Sequence, residues 1–71
     1  TSIMQLVVNG EARTVDLTQP ANVDALLIAL ALPKERVAVE LNGAIVTKAE
    51  RAQRPVKDGD VLEIVTLVGG G

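Results

Sequence analysis

Cysteine, histidine, phenylalanine, tyrosine and tryptophan are all missing from the 71 residues of this chain. Without cysteine there is no disulfide and no thiolate metal site. Without histidine the commonest metal ligand and general base is gone. Without aromatic rings there is no base stacking, the usual grip on single-stranded nucleic acid. No apolar run is long enough to span a bilayer, and no signal-peptide pattern is present. The net charge is only −2, so no global field attracts nucleic acid or acidic membranes. These exclusions lead to the expectation of a soluble, cytoplasmic protein that is not an enzyme, since it lacks the usual nucleophile and base.

What is present is aliphatic: 48% of residues are hydrophobic, drawn from Val, Leu, Ile and Ala with one Met. Such side chains pack densely in well-defined rotamers. The length allows a single domain, of a size that buries a limited fraction of its surface. Met4 offers a natural start, with Thr1-Ser2-Ile3 as an added extension.

Met4 to Asn9 reads as a strand, and Asn9-Gly10 is a hairpin signal because both central positions of a type I′ turn require positive φ. Ala12 to Leu17 alternates, with Val15 and Leu17 inward and Thr14 and Asp16 outward. Asn22 is placed to cap a helix from Val23 to Leu30 or Ala31, with Asp24 in its first turn. Val23, Leu26, Leu27 and Leu30 form its buried stripe, and Pro33 marks the stop. Val37 to Leu41 is a third strand with Val37, Val39 and Leu41 on one face. Asn42-Gly43 turns into a short strand, Ala44-Ile45-Val46. Thr47 to Arg54 reads as one helical turn or coil, and Lys57-Asp58-Gly59-Asp60 as a turn. Val61 to Thr66 closes the list, with Leu62 and Ile64 inward and Glu63 and Val65 outward.

One helix can cover the first and last strands only if they lie side by side. The order therefore predicts an α+β fold of the β-grasp (ubiquitin-like) type. A mixed sheet spans residues 1–68, one main helix packs across it, and residues 69–71 form a flexible glycine tail. Gly69-Gly70-Gly71 has no Cβ and can thread a slot too narrow for other residues. From Leu67 to Gly71 an extended arm reaches about 16–18 Å. At neutral pH its tip is a carboxylate.

Three stretches carry a resemblance: Val37-Ala38-Val39-Glu40-Leu41-Asn42-Gly43, Val56-Lys57-Asp58-Gly59-Asp60, and Glu63 through Gly71. In this order and spacing they resemble the ThiS family, sulfur carriers of thiamine biosynthesis, over almost the whole chain from Met4. Members often carry Pro-Arg and then an aromatic residue after the fourth strand. Here that stretch is Thr47-Lys48-Ala49-Glu50-Arg51, so no contact is carried over to it.

The resemblance implies that Gly71 is adenylated by an E1-like enzyme of the ThiF type, which uses ATP and Mg²⁺. A persulfide donor then converts it to a thiocarboxylate. The sulfur passes to a thiazole synthase of the ThiG type. Gly69 and Gly70 would be recognised with the tip, no cofactor or metal would be bound by the chain itself, and the free carrier would be a monomer. Alternatives are the small subunit of molybdopterin synthase, which tends to be longer and to carry phenylalanines, and a ubiquitin-like modifier that forms isopeptide bonds. A plain interaction module is a further one.

Ordering three glycines on binding is entropically costly, so the body must supply docking energy. Val7, Val46, Val65 and Leu67 are the candidates for an exposed apolar patch on the outer sheet face. Lys48, Arg51, Arg54 and Lys57 read as a solvated polar face, or else as a steering patch for an acidic partner. Asp58 and Asp60 around Gly59 read as turn chemistry rather than a metal site.

Overall fold

The computed structural model describes residues 2–67. Five strands form one sheet in the order β2-β1-β5-β3-β4. They are β1 (Ser2–Val8), β2 (Glu11–Leu17), β3 (Val37–Leu41), β4 (Ala44–Val46) and β5 (Val61–Thr66). β1 and β5 are parallel neighbours, with Val7 beside Val61 and Val8 beside Leu62. The other pairings are antiparallel. This is the expected β-grasp: the first and last strands lie side by side inside the sheet. β1 begins at Ser2, which pairs with Leu17, so residues 2 and 3 continue the strand ahead of Met4.

The two Asn-Gly turns form as expected, with Asn9, Gly10, Asn42 and Gly43 all at φ between 51° and 86°. The single α-helix among the described residues, α1, runs from Val23 to Ala29. Asn22 caps it, its Oδ1 accepting from the Ala25 N–H at 2.8 Å. α1 ends slightly before the expected Leu30 or Ala31. Ala31 is left-handed (φ 57°), the Leu32 N–H donates to Leu27 O, and the Ala31 N–H donates to Ile28 O. That pair of bonds is a Schellman stop, normally built on glycine. Val23, Leu26 and Leu27 are fully buried and Leu30 is partly buried. They lie over Leu6, Leu17 and Leu62, and each fully buried leucine contributes roughly 1.5–3 kcal/mol.

The stretch after β4 is a 3₁₀ helix, Lys48–Gln53, packed against α1. Its start is fastened by Glu50, whose Oε1 accepts from both the N–H and the hydroxyl of Thr47. Those bonds hold the Glu50 carboxyl below its ordinary range; the Thr47 backbone is the main cause, the Thr47 hydroxyl and Arg54 add to it, and desolvation opposes it. No helix of the described residues is long and apolar enough to cross a membrane.

Candidate functional site

Alternation along β5 assigns its side chains to two faces. Leu62 and Ile64 are in the core, as expected. Val61, Glu63 and Val65 point outward, and Leu67 beyond the strand is exposed in turn. Among the described residues no helix covers the outer face, so this row stands open beside the end of β5.

The departure point is fixed on both sides. On the β3 side the Leu67 N–H donates to Arg36 O at 2.6 Å, one step past the Val37–Thr66 pair. On the β1 side the strand ends at Val8, and the Asn9 side chain continues the ladder. Its Oδ1 accepts from the Ile64 N–H at 2.7 Å, and its Nδ2 donates to Ile64 O at 2.9 Å. Asn42 does similar work at the other end of β5, accepting from the Val61 N–H and donating to Asp60 Oδ1. Both turn asparagines therefore hold the last strand in addition to shaping their hairpins. Residue 68, the triglycine Gly69, Gly70 and Gly71, and the domain boundary after residue 68 lie outside the described residues.

Of the docking candidates, Val65 and Leu67 are exposed on the open face and Val7 is half-buried beside Val61. Val46 is not on that face: it is 2% exposed and lies in the core. The cause is register. Val46 pairs with Val39, whose side chain faces α1, so the outward residue of β4 is Ile45, opposite Glu40 and 74% exposed. The open patch is thus built around Ile45, Val61, Val65 and Leu67.

The basic cluster is also revised. Arg51 is 3% exposed and forms no part of a solvated face. Its guanidinium donates to Lys34 O at 2.8 Å and Val37 O at 2.7 Å, bracketing Arg36, whose carbonyl holds Leu67. Its Nε is buried without a partner among the described residues. Arg51 is thus a brace beneath the exit of β5. Lys48 is exposed, donating to Glu35 O and lying 3.7 Å from the Glu35 carboxylate. Of the two aspartates, Asp60 closes its own turn and Asp58 ties that turn to β1. Asp58 Oδ1 accepts from the Gln5 N–H, and Asp60 Oδ2 accepts from the Lys57 N–H.

Comparison with known proteins agrees with this geometry. The model of the ThiS family matches residues 6–71. The crystal structure of a thiamine biosynthesis protein (ThiS) from Geobacter metallireducens superposes with a TM-score of 0.80. It is 43% identical, over 96% of this chain and 100% of that one. The chain is 48% identical to a thiazole synthase of Paramagnetospirillum magneticum over 96% of its own length, but spans only 20% of that relative. It is 36% identical to the uncharacterized protein ycf40 of Pyropia yezoensis, over 99% of this chain and 96% of the other. A family match that covers nearly the whole chain, together with a shared fold over the same residues, shows that this chain belongs to the ThiS family.

Proposed function

We propose that the chain is a non-catalytic sulfur carrier of thiamine biosynthesis that works through the carboxylate of Gly71. The observation that carries this reading is that the family match runs through Gly71 and so includes the glycines. A carboxylate is a poor electrophile and must be activated. Its oxygen attacks the α-phosphorus of ATP on an E1-like adenylating enzyme, with Mg²⁺ at the phosphates, and pyrophosphate leaves. The terminal sulfur of a persulfide donor then attacks the acyl carbon, AMP departs, and an acyl disulfide forms. A second thiol cleaves that disulfide, leaving a thiocarboxylate on Gly71 and a disulfide between the two thiols. A thiazole synthase receives the sulfur; the similarity to a thiazole synthase supports this choice of acceptor.

In this reading the carrier acts in the cytoplasm, as a monomer between partners, and meets them with the open sheet face. Val65, Leu67 and Val7 keep their proposed place there, and Ile45 takes the place of Val46. Gly69 and Gly70 pass through the narrow entry that a Cβ would block.

The test is intact mass after incubation with a ThiF-type adenylating enzyme, ATP, Mg²⁺ and a persulfide donor. The expected product has one oxygen replaced by sulfur. Deleting Gly71, or adding one residue after it, abolishes activation and leaves the unfolding transition unchanged. Adenylation of the extended form without trimming would overturn the role of the tip, and conjugates to lysine would replace the carrier with a modifier.

A further inference from the structure

On the open face two glutamates occupy one row. Glu40 of β3 and Glu63 of β5 are directly opposed in antiparallel register. Directly opposed side chains stand with Cβ atoms about 4.5–5.5 Å apart, and like charges in that position are destabilising. Neither glutamate is paired: the one ion pair among the described residues joins Lys48 to Glu35. Both are exposed, and they sit within an apolar surround. Ile45 lies opposite Glu40 on the β4 side, and Ala38 is paired with Val65 in the next row toward Leu67. Ala38, Val39, Glu40, Ile45, Glu63 and Val65 line one shallow groove.

An apolar groove that displays two unneutralised carboxylates at its centre is complementary to a cation with apolar faces. We infer that this groove receives a single arginine side chain, presented from an apolar patch on the adenylating partner. This deepens, and rests on, the carrier reading above. Arginine fits better than lysine for two reasons. Its planar fork has five donors and can serve both carboxylates at once. Its guanidinium is more weakly hydrated than an ammonium, so its faces lie against Val65 and Ile45 at smaller desolvation cost. A second copy of this chain is the wrong occupant, because a two-fold axis through this groove would bring the glutamate pair against its own duplicate. Binding the arginine relieves the repulsion between Glu40 and Glu63, so the cost of holding them together is recovered only in the complex. The contact also fixes the register of the body on the enzyme, while the apolar rim supplies area.

The experiment compares wild type with the isosteric, neutral double variant Glu40→Gln/Glu63→Gln, using a ThiF-type adenylating enzyme as the probe. Calorimetric titration without ATP reads binding, and ATP–pyrophosphate exchange reads activation. The double variant is expected to raise both Kd and KM for the carrier by roughly 10–100-fold, with kcat within about two-fold of wild type. Added salt weakens the wild type more than the variant. The free variant melts higher by roughly 2–5 °C, because the repulsion is gone. Substituting the partner's surface arginines one at a time, against both forms of the carrier, identifies one arginine whose loss no longer matters once the glutamates are neutral. An unchanged Kd in the double variant overturns the inference, and so does the absence of any coupled arginine. If wild type binds with glutamate-dependent affinity yet is never adenylated, the carrier reading falls and the arginine receptor stands. If wild type does not bind at all, the receptor falls with it.

Discussion

The two faces of β5 share one backbone, yet they have opposite surroundings. Leu62 and Ile64 face α1 and are buried; Val61, Glu63 and Val65 face outward, and Val65 is 59% exposed. Each face also holds charge in an uncommon place. On the covered side Arg51 is buried and two of its nitrogens are bonded to main-chain carbonyls. On the open side Glu40 and Glu63 are opposed with no ion-pair partner among the described residues. The difference teaches how this small domain places its charge: the covered face ties two of three guanidinium nitrogens to main-chain carbonyls, and the open face leaves its carboxylates without an ion-pair partner among the described residues.

The largest expected effect tests the difference between the faces directly. Leu62→Ala opens a cavity at a fully buried site and costs about 3–4 kcal/mol. That is a large share of the roughly 4–10 kcal/mol expected for a domain of this length. Val65→Ser, one face over, changes stability by about 0.5 kcal/mol or less. Urea denaturation of both variants measures the contrast, and equal losses would show that the open face is as structural as the covered one.

Arg51→Met is expected to cost about 2 kcal/mol, because Lys34 O and Val37 O lose their donor in a buried setting. Amide exchange at Leu67 should speed up in the same variant, since the bracketed Arg36 carbonyl is no longer held. If exchange at Leu67 is unaltered, Arg51 supports the core alone and has no part in fixing the exit of β5.

The smallest effect is a pH dependence at the rim of the covered side. Glu50 has its carboxyl pKa lowered in the folded state, chiefly by the Thr47 backbone N–H. The unfolded chain therefore holds this proton to higher pH, and folding stability rises with pH across the window. Its contribution is present in full above the ordinary value of 4.5 and is lost as pH falls through the lowered value. Glu50→Gln should be slightly less stable than wild type at pH 7, with the gap closing in acid. A gap that stays constant from pH 7 to strongly acidic conditions would remove the charge from the account.

Most of the fold was legible in the residues. Period-two alternation assigned β2, β3 and β5 to their faces, and Asn-Gly at both turns demanded the positive φ that is observed. The capping role of Asn22 followed from its place before the helical stripe. Three features were not legible, each for a physical reason. A strand of three residues has too little pattern to fix its phase, so Val46 and Ile45 could be told apart only by the pairing of Val46 with Val39. A buried arginine in a polar stretch looks like any solvated one; its carbonyl partners, Lys34 and Val37, lie in a separate segment that only the fold brings near. The bonds from Asn9 to Ile64 cross almost the whole chain, and local sequence carries no sign of them. The docking patch was therefore half legible: the β5 residues were readable, and its neighbours on β3 and β4 needed the sheet.

The parallel pairing of β1 with β5 has a practical corollary. From the Val7–Val61 contact β1 runs back to Ser2, and β5 runs forward to Thr66 with Leu67 just beyond it. At about 3.3 Å per residue the two lie near opposite poles of a body 37 Å long. Cargo, a tether or a sensor surface attached through residue 2 would hold the molecule by its far pole and leave the other turned toward solution.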